Sequence, residues 1–140
     1  MSMQPDTISG VTTEAQLVST WRALLERYHA TSCALDRALN DGHQLGMSEF
    51  EVLERLVEAE NDGGPAIHRR VQELATSVHL SQSALSRVVA RLERDGLALR
   101  VMCPSDRRGI YVQVTEEGRE RYAAARVTHR AILAETLGSS

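Results

Sequence analysis

Lysine is absent from this sequence: all 16 basic residues are arginine, a coding bias that points to a GC-rich genome and carries no mechanism. Cysteine is nearly absent too. Cys33 and Cys103 are too few for a disulfide framework, which points to a reducing, cytoplasmic setting. No apolar run approaches the roughly 18 residues of a membrane span, and no basic start followed by an apolar core marks a secretory signal. Aromatic residues are limited to Trp21, Tyr28, Phe50, Tyr111 and Tyr122, so the core is expected to be mostly Leu, Val and Ala. There is no internal repeat, low-complexity tract, phosphate-binding loop or metalloprotease motif, and no cofactor is called for. Catalysis needs a nucleophile, a base and an orienting group that converge. His29, Cys33 and Asp36 stack on one stretch of helix, share a face and surround nothing, so no enzyme is expected.

What is present is a division of charge. The 140 residues carry a formal charge of -3, but residues 1–67 hold 11 acids against 4 arginines, and residues 68–114 hold 8 arginines against 4 acids. Residues 115–140 balance. The distribution of charge decides partners more than its total does, and the basic block is the middle third. The length suits one compact domain.

The periodicity predicts a mainly α fold with a small β-hairpin. Residues 1–11 read as a loose arm. A long helix begins at Thr12 or Thr13, with Glu14 suited to its first turn. Its apolar stripe is Leu17, Val18, Trp21, Leu24, Leu25, Tyr28, Leu35, Ala38 and Leu39, at helical spacing. That stripe is wider than one small domain needs, so part of it is expected to face a partner subunit. Asn40-Asp41-Gly42 should end the helix. Ser48, with Glu51 three residues on, reads as the capping box of a second helix that stops before the breaker Asn61-Asp62-Gly63-Gly64-Pro65. A short extended stretch is expected over Ile67–Arg70, a third helix over Val71–Val78, and a fourth capped by Ser81 and stopped by Gly96. Leu97–Met102 and Ile110–Val114 read as strands around a turn over Cys103–Gly109. Thr115 should cap a final helix to about Leu137.

The third and fourth helices have the form of a helix-turn-helix, whose second helix enters a major groove by its N-terminal end. At 100° per residue, Gln82, Ser86 and Val89 or Ala90 share one face, and Ser83, Arg87 and Arg91 an adjacent one. Leu85, Val88 and Leu92 lie opposite. Gln suits adenine and Arg suits guanine, while Ser81 and the open N–H groups at the helix start suit phosphate. Arg107 and Arg108 stand at the hairpin tip, where an arginine suits a narrow minor groove. Asp106 reads as an ion pair or turn cap that steadies them. The plainer reading of each is a solvated surface. Arg69 and Arg70 suit either phosphate contact or a solvated edge.

These residues resemble the MarR family of bacterial regulators over roughly Trp21 to Gly118. Asp106-Arg107-Arg108-Gly109-Ile110-Tyr111-Val112-Gln113-Val114-Thr115 is close to the family's wing signature, Asp-x-Arg-small-x-x-Val-x-Leu-Thr. Leu80–Leu97 looks like its recognition helix and exit, and Leu45–Leu53 is similar to the opening of its second helix. The resemblance implies a winged helix-turn-helix with long N- and C-terminal dimerisation helices. The expected divisions are 12–47 and 116–140 for dimerisation and 48–115 for DNA. It implies a homodimer on double-stranded DNA with a pseudo-palindromic site, most often a repressor of a nearby gene or its own. A small, frequently phenolic or anionic effector would release it from a cleft between the dimer helices and the DNA-binding module. The family pattern has one more helix after the one that begins at Thr115. This sequence ends at Leu137-Gly138-Ser139-Ser140, so either the dimer interface is reduced or the chain is shortened.

Signal entry has several readings. Trp21, Tyr28 and His29 are candidates to line the ligand cleft, although dimer core suits Trp21 better. Cys33 lies one turn beyond His29 with Arg37 a turn further, an arrangement that favours a reactive thiol, although a small apolar packing role is commoner. His29, Cys33, His43 and His129 would be a zinc set only if brought together across the dimer helices, and no close ligand pair supports that. A reading from another class is a winged-helix adaptor that binds protein and uses its basic face little.

Overall fold

The computed structural model describes residues 12–63, 69–102 and 110–138. Among them the order is α1 (Glu14–His43), α2 (Met47–Gly63), β1 (Arg69–Arg70), α3 (Val71–Val78), α4 (Gln82–Arg94), β2 (Ala98–Met102), β3 (Ile110–Val114) and α5 (Glu116–Leu137). No described helix is long and apolar enough to cross a membrane.

α2 is the axle. Phe50, Val52, Leu53 and Leu56 are buried on it and meet Leu35 and Leu39 of α1, Leu74 of α3, Leu85, Val89 and Leu92 of α4, Val112 and Val114 of β3 and Ala125 of α5. α5 runs antiparallel to α1: Arg121 Nη1 donates to the His43 carbonyl at 3.0 Å, and Thr136 lies beside the groove along Ser19–Thr31. Every residue from Thr12 to Ala30 is exposed. Trp21 is 59% and Tyr28 65% exposed, alongside Leu17, Val18, Leu24 and Leu25. The predicted stripe therefore divides: its C-terminal end packs within the chain, and its N-terminal end faces outward.

Three boundaries differ from expectation, each for a tertiary reason. α1 opens beside the expected Thr12 or Thr13: the helix starts at Glu14, and Thr13 with Gln16 forms a reciprocal capping box that the sequence reading did not name. It passes through Asn40-Asp41-Gly42 and ends at His43. Gln44 adopts the left-handed cap (φ 53°) and donates to Asn40 O and Leu39 O. The extra turn is retained because Arg121 binds the His43 carbonyl, His43 Nε2 meets Thr128 Oγ1 at 2.8 Å, and Leu45 is fully buried just beyond. α2 starts at Met47, so Ser48 is inside it and Ser48 with Glu51 is no capping box. Glu49 takes that place: its Oε1 accepts from Gly46 N at 2.7 Å, and Asp36 of α1 accepts from Met47 N at 3.0 Å. A side chain from the neighbouring helix thus supplies the capping oxygen. At its far end α2 continues through Asn61 and Asp62 to Gly63, since Glu60 is buried and held by Arg119 Nη1 at 2.7 Å.

The sheet has the order β1-β3-β2, all antiparallel. β2 and β3 pair in a register from Ala98↔Val114 to Met102↔Ile110, and the expected short stretch before α3 becomes β1, with Arg69↔Val112 and Arg70↔Tyr111. The hairpin base is interlocked with both flanking helices. Gly96 takes φ +77°, the left-handed geometry that glycine adopts without penalty. Leu97 N donates to Leu92 O at 2.8 Å, Thr115 N to Leu97 O at 3.1 Å and Thr115 Oγ1 to Gly96 O at 2.7 Å. The same Thr115 hydroxyl caps α5 by accepting from Gly118 N at 3.0 Å.

Candidate nucleic-acid interface

α3 and α4 are joined by a tight turn. Leu80 N donates back to Ala75 O at 3.0 Å, and His79 takes φ +59°. A left-handed non-glycine residue costs about 1 kcal/mol, here offset by the capping bond. His79 is therefore the hinge residue of the turn. Ser81 then caps α4 by accepting from Ala84 N at 3.1 Å.

α4 has two faces. Leu85, Val88, Val89 and Leu92 are buried; Gln82, Ser83, Ser86, Arg87, Ala90 and Arg91 are exposed. This decides between the two residues left open by the sequence: Val89 packs inward and Ala90 faces out. Among the described residues the Arg87 side chain has no hydrogen bond or ion pair, and it stands beside Ser83 and Ser86 one turn from the helix start. Arg91 is different. Its Nε lies 3.9 Å from Glu49 Oε2, which ties it to the first turn of α2. Asp106, Arg107, Arg108 and Cys103 lie outside the described residues, and of Arg69 and Arg70 only the backbone is described.

Two residues that sequence reasoning passed over belong to this surface. Arg100 of β2 donates through Nη2 to Ser86 O at 3.4 Å, and its Nε lies 3.5 Å from Glu93 Oε1. The signal was in the strand parity: Arg100 falls on the same side of β2 as the fully buried Ala98.

The candidates for signal entry do not come together. Trp21 and Tyr28 are seven residues apart and share a face of α1, whereas His29 lies about 100° around the helix. His29 instead pairs with Cys33, whose Sγ is 3.7 Å from Nε2. A groove of about 450 Å³ between α1 and the start of α2 is lined by Tyr28, Ser32, Cys33, Asp36, Arg37, Met47 and Ser48; Trp21 and His29 are not in its wall. The four-residue zinc set does not gather within the chain: only His29 and Cys33 are seen to pair. His43 is held by Thr128, and His129 is buried, stacked on Phe50 at 4.3 Å with Nε2 3.3 Å from Glu51. Among the described residues no three metal-ligating side chains gather.

A second unforeseen cluster ties α2 to α5. Glu54 Oε2 accepts from Tyr122 Oη at 2.7 Å and from Arg130 Nη2 at 2.5 Å. Burial alone would push the Glu54 carboxyl up; the Arg130 and Tyr122 hydrogen bonds, with the charge of Arg130, outweigh it and hold it below its ordinary value. The Tyr122 hydroxyl is pushed up by burial and by Glu54, and the Arg130 guanidinium is raised by its bond to Glu54. Arg130 Nη1 also lies 2.7 Å from His129 Nδ1. A guanidinium only donates, so that nitrogen accepts and the imidazole proton sits on Nε2, facing Glu51.

A short helix, a tight turn, a two-faced helix and a hairpin bonded to its end define a winged helix-turn-helix DNA-binding protein. The MarR family model matches residues 45–110. The chain is 30% identical to AbsC, a MarR family transcriptional regulator from Streptomyces coelicolor, covering 92% of this chain and 82% of that one with a TM-score of 0.76. It is 28% identical to Sco3205, a MarR family regulator of the same organism solved in complex with DNA, covering 96% and 78% with a TM-score of 0.78. It is 31% identical over 78 residues to YkoM, an HTH-type transcriptional regulator of Bacillus subtilis (strain 168); that match covers 56% of this chain and only 46%, about half, of YkoM. The chain belongs to the MarR family of transcriptional regulators.

Proposed function

We propose that this regulator acts as a homodimer on a pseudo-palindromic operator, represses a nearby gene or its own, and releases DNA when a small effector binds beside α1. The observation that carries the DNA reading is the two-faced α4, which buries its apolar side completely and offers Gln82, Ser83, Ser86 and Arg87 outward. In this reading Ser81 and the first N–H groups of α4 meet phosphate. Gln82, Ser83, Ser86 and Arg87 meet base edges. Arg107 and Arg108, braced by Asp106, reach the adjacent minor groove. Arg91 contributes less, because Glu49 already engages it. The structure of Sco3205 with DNA supports the general mode.

The homodimer is supported by the outward apolar stripe from Leu17 to Tyr28, which no described part of the chain covers. Residues 12–47 and 116–140 would then form the dimer body and 48–115 the DNA-binding unit, with 1–11 as an arm. Release is supported by the groove at Tyr28, Cys33 and Arg37. It abuts Asp36 and Met47, the α1–α2 hydrogen bond, two residues from the Glu49–Arg91 link to α4. A molecule seated there would shift the first turn of α2, and with it the recognition helix.

The test is a gel shift on the DNA upstream of the gene. Binding to an inverted repeat with half-sites about one helical turn apart, weakening steeply with salt, is the expected result. Flat, sequence-blind binding would overturn the regulator reading in favour of an adaptor. Arg87→Ala should cost about 1–3 kcal/mol of binding and relax the choice of base at one position in each half-site. Arg91→Ala should cost less than Arg87→Ala, and equal losses would show that the Glu49 link does not hold Arg91 back.

A further inference from the structure

Arg100 lies at the junction of α4 and the wing. β2 alternates: Ala98 is fully buried, Leu99 is largely exposed, and Arg100 returns to the side of Ala98. The side chain therefore extends over α4. Its Nη2 donates to the Ser86 carbonyl, and Glu93, two turns further along α4, holds it from the other end. Glu93 Oε1 is 3.5 Å from the Arg100 Nε, and Oε2 accepts from the Arg100 backbone N–H at 3.4 Å. Both partners of this ion pair are 40% exposed, and pairs so exposed add little stability. What the arrangement does is orient an arginine. A guanidinium has five N–H donors in a rigid fork. Ser86 and Glu93 engage Nη2 and Nε, and Nη1 has no partner among the described residues.

When a recognition helix occupies a major groove and its wing the adjacent minor groove, the phosphate strand that separates the two grooves passes across the helix–wing junction. Arg100 is fixed at that junction, beside Ser86 in the middle of the exposed face of α4. We infer that Arg100 is a phosphate-binding residue that grips the backbone between the two grooves, with Glu93 as its positioning residue. The inference rests on the docking of α4 and the wing proposed above. It adds a contact that carries no sequence information and sets how far the wing can rotate relative to the helix.

The experiment uses the full chain and two duplexes: one selected from a random pool by the wild-type protein, and a scrambled version. Binding is followed by fluorescence anisotropy over a salt series. If the selection yields no preferred duplex, the docking reading itself fails. If it does, Arg100→Gln should weaken binding to both duplexes by a similar factor, and the slope of log K against log salt should fall in magnitude by about one. Arg100→Lys should keep that slope. Glu93→Gln retains an oxygen for the backbone N–H but no longer anchors the guanidinium by charge, so it should weaken binding to both duplexes by a similar factor, smaller than that of Arg100→Gln. Loss confined to the selected duplex with an unchanged slope would make Arg100 a structural latch and overturn the inference. Loss confined to the selected duplex in Glu93→Gln would do the same. If Arg100→Gln melts below the assay temperature, the lysine and Glu93 variants carry the decision: a reduced slope in Arg100→Lys overturns it, and a retained slope with weaker binding in proportion on both duplexes supports it.

Discussion

Gly118→Ala is expected to destabilise the chain by about 3 kcal/mol, at the upper end of what overpacking costs, and to weaken DNA binding with it. A Cβ on Gly118 would lie 2.1 Å from the Leu97 carbonyl oxygen and 2.8 Å from Val114 Cγ2. The first neighbour is backbone, so no rotamer change relieves the clash. Leu97 cannot retreat cheaply, because its own N–H is bonded to Leu92 O and its carbonyl accepts from Thr115 N. Moving the first turn of α5 instead would pull Thr115 from Gly96 O, the bond that ties the wing base to the end of α4. Either relaxation re-aims the wing relative to the recognition helix. Urea unfolding gives the stability loss, and the gel shift gives the functional one. Gly42→Ala is the control: nothing lies within 4 Å of its Cβ position, and it should be neutral or stabilise by about 0.5 kcal/mol through helix propensity. If Gly118→Ala behaved like Gly42→Ala, the interlock at the wing base would be wrong.

Glu54→Ala is expected to cost about 2–3 kcal/mol. It strands the buried Tyr122 hydroxyl, worth about 1–2 kcal/mol when left unsatisfied. It also removes a charge-assisted bond to Arg130, discounted because that guanidinium is 39% exposed and can rehydrate. Glu54→Gln keeps an acceptor for both donors and should cost less, about 1 kcal/mol. The two variants also differ from wild type in pH dependence. The Glu54 carboxyl is held below its ordinary value in the folded chain, so the unfolded chain takes up its proton first as pH falls. Its contribution is fully present above the unfolded carboxylate range near pH 4 to 5 and is lost as pH falls through the lower, folded value. Wild type should therefore lose stability between pH 6 and acid more steeply than Glu54→Gln. Parallel acid profiles for the two proteins would remove Glu54 from the account of acid stability.

Most of the architecture was legible because it rests on local signals. Ser81 and Thr115 cap the helices they were expected to cap, and Thr13, one of the two threonines offered for the opening of α1, caps that helix, since a hydroxyl one residue before a helical run needs only its own backbone to act. Gly96 stops α4 in the left-handed region as its position suggested. The faces of α4 followed from 100° per residue, and the one ambiguity, Val89 against Ala90, was settled by what packs beneath. The misplaced boundaries share a cause. Ser48 and Glu51 satisfy the pattern of a capping box, but Asp36 and Glu49 reach the amides first, and Asp36 lies eleven residues away from the amide it caps. The end of α1 was read from Asn40-Asp41-Gly42, whereas Arg121 and Thr128, some eighty residues on, hold the extra turn.

The candidate site shows the same division. Gln82, Ser83, Ser86 and Arg87 could be picked out from periodicity because a helix places them on one side regardless of its surroundings. Arg91, with the same periodicity, could not be distinguished from Arg87 until Glu49 of α2 was seen beside it. Arg100 was missed because its partners, Ser86 and Glu93, lie on another element.

By itself the sequence determined the elements, their order, the two faces of α4 and the family, all of which depend on residues close together in the chain or on a motif read in place. The tertiary structure alone decided which charges pair across elements: Glu49 with Arg91, Glu54 with Arg130 and Tyr122, Glu60 with Arg119, and Glu93 with Arg100. The reason is physical. Nearly every arginine in a charged chain has many acids within sequence reach, and the Coulomb and hydrogen-bond energy that selects one falls off over a few ångströms of space, which only the packed helices fix.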